Sequence, residues 1–366
     1  MKGSREKFMR LCVAIVLQLC FAASMLGQAT GPAATSSLED TKMAAPSLSG
    51  NLLGDPATQQ VFVYLPPSYK AQAGKRYPTL YLLHGYASGP DAWLKGGYQG
   101  LSLQSEMDTL IAKGVAAEMI VVVPNGKNSY LGSFYANSAV GGNWEDYIYR
   151  DLVAYIDGRF RTLAKPASRG IAGHSMGGYG AFMLAMKHPK VFGTVYALSP
   201  CCMGLEGDLS GENPAWVKAA GVNSRDIFSR EPESFDDFFV AAMTAISAAF
   251  SPNPQKAPMY VDHPFSQIGP LLSRNEPAYS IYRSKMPLYL IEQYRVNLLS
   301  LRGIFLDVGE FEEFTHIRTT TPMVSAELSK RDIPHAFEIY KDGDHGNKIR
   351  ERFSSKVIPF FSAVLE

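Results

Sequence analysis

The chain has 366 residues, 46% of them hydrophobic, enough to bury a large core in one or two globular domains. Its 35 Lys and Arg nearly balance its 34 Asp and Glu, so there is no long-range field to recruit nucleic acid or anionic lipid. The four cysteines, two of them near the start and two adjacent at 201 and 202, leave no disulfide framework for the mature chain. At the start, Lys2, Arg5, Lys7 and Arg10 form a basic region, Leu11 to Leu26 an apolar one, and Gly27-Gln28-Ala29 puts small residues at the positions that define cleavage. We expect residues 1–29 to be a signal peptide cleaved after Ala29, and the mature protein to be secreted or periplasmic. No later segment approaches ~20 uninterrupted apolar residues, so no membrane association is expected after cleavage. Cys12 and Cys20 leave with the leader. Cys201 and Cys202 are neighbours, which are expected as two buried thiols, with a strained vicinal disulfide as the alternative.

Residues 30–50 are rich in Ala, Ser, Thr, Gly and Pro and read as a flexible linker. From there the pattern changes. Val61–Leu65, Thr79–Leu83 and Met119–Val123 are short apolar runs stopped by Pro66-Pro67, His84-Gly85 and Pro124-Asn125-Gly126, as strands buried on both faces should be. Helical stretches cover Leu103 to Lys113 and Asp146 to Arg159. A strand is expected at Gly170–Ala172, a helix from Gly177 to about His188, and a strand at Thr194–Ser199. Strands at Gly303–Val308 and Ala336–Tyr340 flank a helix around Pro322 to Lys330, and a last helix runs from about Lys348 to Leu365. Alternating strands and helices predict an α/β fold with a mostly parallel sheet flanked by helices over 51–366. The stretch from about 201 to 300 breaks the rhythm with many Pro, Asn and aromatic residues. It reads as a cap inserted between two core strands.

Gly173-His174-Ser175-Met176-Gly177 fits G-x-S-x-G and lies between an expected strand and an expected helix. Glycines on both sides allow the sharp turn that exposes a nucleophilic serine. A serine hydroxyl requires a base, usually His steered by a carboxylate. Of seven histidines, His345 stands in the turn Asp342-Gly343-Asp344-His345-Gly346 after the last strand, where the order nucleophile, acid, base puts the base. The acid belongs in the turn after the preceding strand, where Asp307, Glu310, Glu312 and Glu313 compete. Two backbone donors must hold the oxyanion. They are expected to be the N–H groups of Met176 and Tyr86, with Gly85 letting the backbone approach the substrate.

Together His84-Gly85, Gly142-Asn143-Trp144-Glu145-Asp146, Arg159-Phe160-Arg161-Thr162 and Gly173-His174-Ser175-Met176-Gly177-Gly178 resemble the putative-esterase family of α/β hydrolases. That family contains esterase D (S-formylglutathione hydrolase), feruloyl and acetyl carbohydrate esterases, and mycolyltransferases. The resemblance covers about Gln60 to Pro200 and Gly303 to the end, and leaves the cap outside. It implies an α/β-hydrolase fold, Glu312 as the acid in the frame Gly309, Glu312, Glu313, Phe314, and a place near the substrate for Trp144. This chain has Glu where the family usually has Asp. The expected function is that of a serine carboxylic-ester hydrolase acting through an acyl-enzyme with no metal or organic cofactor. Export favours carbohydrate-linked feruloyl or acetyl esters over a cytosolic thiol ester. Acyl transfer to a sugar or lipid acceptor is the alternative, and a non-catalytic binding protein on the same scaffold a third.

Overall fold

A computed structural model describes residues 35–268 and 271–366. The expected signal peptide, 1–29, lies outside the described residues. Eight strands form one sheet: β1 (Ser37–Ala44), β2 (Thr58–Leu65), β3 (Thr79–Leu83), β4 (Ile120–Pro124), β5 (Arg169–His174), β6 (Thr194–Leu198), β7 (Gly303–Gly309) and β8 (Ala336–Tyr340). Their spatial order is β1-β2-β4-β3-β5-β6-β7-β8, antiparallel across β1–β2–β4 and parallel throughout the rest.

The apolar runs are strands because both of their faces are covered. Every residue of β3, β4, β5 and β6 is buried. Alternate residues point to opposite sides. Tyr81, Leu83, Val122, Ile171 and Val195 join one core; Leu80, Leu82, Val121, Val123 and Ala172 join the other. Helix α1 (Leu103–Ala112) and the helical run 349–364 cover the second core. The first is covered by α2 (Val153–Arg159), α3 (Met176–Lys187), α4 (Phe235–Phe250) and α5 (Thr315–Lys330). Helix α4 lies in the stretch between β6 and β7; Ser234 caps it by accepting from Asp237 N–H, and Asp236 and Asp237 stand in its first turn.

Two expectations are corrected. Part of the segment read as a flexible linker, 30–50, forms β1, an edge strand paired with β2 along its whole length from Ser37↔Leu65 to Ala44↔Thr58. Only Met43 of that strand is buried, so its sequence carried no apolar alternation; the ladder of main-chain hydrogen bonds orders it. Its Glu39, Asp40 and Lys42 are charges that discourage pairing by another chain. Helix α5 begins at Thr315, seven residues before the expected start, and carries Pro322 inside. Burial of His316, Ile317, Thr320 and Thr321 holds that first part against the lost hydrogen bond.

Strand order reverses direction between β3 and β5, and register matches Leu83 to Gly173 and Gly173 to Ala197. Loops leaving the carboxyl ends of these strands therefore meet at a switch point, where open α/β sheets form their ligand crevices.

Candidate active site

Strand β5 ends at His174 and α3 starts at Met176, so the whole reversal falls on Ser175, at φ 56° and ψ −116°. A non-glycine residue there costs about 1–3 kcal/mol and persists only if its surroundings hold it. They do: Ser175 N–H donates to Leu198 O at 3.0 Å, and its carbonyl accepts from Tyr179 N–H at 3.0 Å and Cys201 N–H at 3.1 Å. The flanking glycines are steric necessities. A Cβ on Gly173 would sit 2.4 Å from the Gly177 carbonyl, and one on Gly177 2.4 Å from the Leu83 carbonyl.

His345 lies on the loop after β8, and Glu312 on the loop after β7. The loops are laced by Phe311 N–H to Gly343 O at 2.7 Å and Glu310 N–H to Tyr340 O at 3.0 Å. His345 Nδ1 is 2.9 Å from Glu312 Oε2, and Glu312 Oε1 accepts from Phe314 N–H at 3.2 Å. Phe314 meets the imidazole edge to face, and the His174 ring packs beside it with its Nε2 2.8 Å from the His345 carbonyl. Glu312 has no exposed surface. Burial pushes its carboxyl up to about 7 and pulls His345 down to about 4. A neutral imidazole with Nδ1–H on the carboxylate leaves Nε2 free to take a proton.

The other carboxylates of that turn are engaged elsewhere. Asp307 is buried in an ion pair with Arg352 at 2.7 Å and accepts from Tyr196 Oη at 2.7 Å. Glu310 accepts from Asp342 N–H at 3.2 Å, and Glu313 from the His345 backbone N–H at 2.9 Å.

The loop after β3 is fixed from three sides. His84 Nε2 accepts from Gly126 N–H at 2.8 Å, Tyr135 Oη accepts from His84 N–H at 3.1 Å, and Tyr98 Oη accepts from Gly85 N–H at 2.9 Å. Among the described residues the N–H groups of Tyr86 and Met176 have no partner. Ser175, His345, Gly85 and Tyr86 line one cavity of about 710 Å³ including its open mouth. Its remaining wall is largely apolar, with Phe134, Phe238, Phe239, Met243, Ile246 and Phe314. Among the described residues no hydrogen bond joins the Ser175 hydroxyl to the imidazole, a contact that tightens in such sites when substrate binds. No group of three or more His, Cys, Asp or Glu among them could hold a metal ion, and no helix among them is long and apolar enough to cross a membrane.

A family model described as "Putative esterase" matches residues 56–353. The chain belongs to the putative-esterase family. An endo-1,4-beta-xylanase/feruloyl esterase of Xylanibacter ruminicola is 36% identical over 143 residues, 37% of this chain and 18% of that protein. The S-formylglutathione hydrolase of Mus musculus is 31% identical over 150 residues, 38% of this chain and 51% of that protein. The matches thus span about half or less of these curated relatives. A ferulic acid esterase structure superposes with a TM-score of 0.61 at 22% identity, over 90% of this chain and 99% of that one. An S-formylglutathione hydrolase from Agrobacterium tumefaciens gives 0.59 at 16%, over 92% and 98%. At these identities the structures establish the fold, an α/β hydrolase.

Within this family frame, one expected site residue is misplaced. Trp144 does not line the cavity: it is buried in the core, edge to face with Tyr147, and its indole N–H donates to Gly141 O at 2.8 Å. A satisfied, fully packed indole belongs to the core rather than to a substrate wall. Sequence reasoning missed Tyr98, whose hydroxyl occupies the Gly85 N–H and leaves the next one, on Tyr86, free. The expected cap does supply wall to the cavity, through α4, although sequence reasoning did not single out which of its residues line it. Phe239, Ala242, Met243 and Ile246 recur at helical spacing, a pattern that announces a buried face without saying whether a core or a cavity lies against it.

Proposed function

We propose that this chain is a serine carboxylic-ester hydrolase working through an acyl-enzyme. Ser175 Oγ attacks the ester carbonyl carbon while His345 takes its proton; the tetrahedral intermediate collapses, and the alcohol leaves with that proton. Water repeats the sequence and frees the acid. Glu312 orients His345 and stabilises the imidazolium, and the Tyr86 and Met176 N–H groups hold the oxyanion. The observation that carries this reading is the joint geometry: a serine strained onto a strand-to-helix turn, sharing a cavity with a histidine whose other nitrogen is 2.9 Å from a buried carboxylate.

The wall supports a narrower substrate class. Aromatic rings and Met243 suit a flat, apolar acyl group and so favour a feruloyl ester of a carbohydrate over an acetyl one; a feruloyl esterase and an acetyl esterase are both among the relatives. The basic and apolar leader supports export to the periplasm or beyond. The test compares methyl ferulate with p-nitrophenyl acetate, with and without sugar acceptors, for the wild type and Ser175→Ala. Free acid as the product, with kcat/KM higher for the feruloyl ester, is the expected result. Acylated sugar in place of free acid would make the chain a transferase. Undiminished cleavage by Ser175→Ala would remove the serine mechanism altogether.

A further inference from the structure

Three residues after β6, Cys201 and Cys202 stand side by side, both buried, both free, and both in the wall of the cavity that contains Ser175. Their sulfurs are 2.9 Å apart, within hydrogen-bond reach. His316, in the first turn of α5, also lines this cavity near the Cys201 thiol. Its Nδ1 is 3.2 Å from Asp208 Oδ2, which leaves Nε2 free to exchange a proton. Asp208 is held in place by Thr315 Oγ1 at 2.6 Å and His316 N–H at 3.3 Å. An imidazole steered by a carboxylate thus faces the same cavity as the paired thiols, an environment that favours a thiolate nucleophile. Burial alone would push the Cys201 thiol up, but Cys202 and His316 outweigh it and bring it down to about 7; Asp208 and Cys201 keep His316 above its ordinary value despite burial. The proposed ester mechanism uses none of these groups.

We propose that Cys201 is a second nucleophile in this cavity, a site of covalent modification by hydroperoxides, with Cys202 as the thiol that resolves it. Cys201 sulfur attacks one peroxide oxygen: an S–O bond forms and the O–O bond breaks. The departing oxygen takes the proton that the thiol gave to His316, leaving as an alcohol, or as water from hydrogen peroxide. Cysteine is oxidised by two electrons to the sulfenic acid and the peroxide is reduced by two. Cys202 sulfur then attacks the sulfenic sulfur, forming S–S and breaking S–O, and the oxygen leaves as water with the Cys202 proton. A low-pKa thiol beside a resolving thiol is the arrangement of redox-reactive cysteines.

The experiment exposes purified protein to hydrogen peroxide at pH 7 and follows Cys201 by dimedone trapping and by mass spectrometry of non-reduced peptides. Expected are a dimedone adduct on Cys201 in Cys202→Ser, and in the wild type a 201–202 peptide lighter by two hydrogens, restored by dithiothreitol. The Cys201 oxidation rate should exceed that of free cysteine by at least about tenfold. It should fall by a similar factor in His316→Gln. An oxidation rate no higher than that of free cysteine overturns the proposal, even should His316→Gln fail to fold, and so does an undiminished rate in a folded His316→Gln. Running the same oxidation in Ser175→Ala separates it from the esterase reading, since Cys201 chemistry survives there whether or not Ser175 is a nucleophile.

Discussion

Glu312→Asp and Glu312→Gln disturb the same 2.9 Å contact to His345 Nδ1 in different ways. Aspartate withdraws the carboxylate by one carbon–carbon bond, about 1.5 Å. The loop cannot easily follow, because Phe311 N–H is tied to Gly343 O at 2.7 Å and Glu312 N–H to Gly309 O at 3.3 Å. The contact then opens beyond hydrogen-bond range, and a misplacement of this size costs about 10²-fold in kcat. Glutamine keeps the reach but loses the charge that stabilises the imidazolium, and its amide can hold the wrong tautomer. The expected loss is about 10³–10⁴-fold, or roughly 4–5.5 kcal/mol of transition-state stabilisation. KM should change little in both, because Glu312 does not line the cavity. Steady-state hydrolysis of p-nitrophenyl acetate at pH 8, alongside thermal melts to verify folding, measures all of this. Should folded Glu312→Gln keep more than about a tenth of wild-type kcat while Ser175→Ala loses nearly all of it, the assignment of Glu312 as orienting acid is wrong.

Activity should fall on acidification. Burial holds His345 low, at about 4, and Glu312 high, at about 7, and the two titrate as one unit. The base works only when that unit has lost its extra proton, so kcat/KM should rise with pH through a midpoint set by the higher of the two, about 7. In Glu312→Gln, with no anion to stabilise the imidazolium, the limb should move to lower pH, and a move upward would contradict the pairing. Gly177→Ala drives a methyl group to 2.4 Å from Leu83 O and 2.9 Å from His84 O, both main-chain atoms that cannot step aside. A loss of about 1–3 kcal/mol or more in urea unfolding is expected, together with lower kcat, and an unchanged midpoint would show that the elbow has slack. Asp307→Ala leaves the buried Arg352 guanidinium with the Glu338 carboxylate, at 3.0 Å, and should cost about 1–3 kcal/mol of stability. The kcat per folded molecule should survive, in contrast to Glu312→Gln; a selective collapse of kcat with stability intact would make Asp307 the acid instead.

The sequence by itself determined the elements whose signal is local. Apolar runs such as Thr79–Leu83 and Met119–Val123, short and stopped by turn residues, read as strands covered on both faces, and Gly173 and Gly177 around Ser175 declare a turn that side chains would obstruct. Position after the last strand sufficed to single out His345. Tertiary structure decided whatever depends on partners distant in the chain. Strand β1 exists because β2 offers a ladder. Four carboxylates within seven residues look alike in sequence; the packing of the β7 and β8 loops puts Glu312 alone on the imidazole. Cys201 and Asp208 lie on the loop after β6 and His316 on α5, and only the seating of that helix beside the loop brings them together. Periodicity and turn chemistry report on a residue and its near neighbours, whereas a hydrogen bond between side chains separated by a hundred residues is fixed only when the whole sheet has closed.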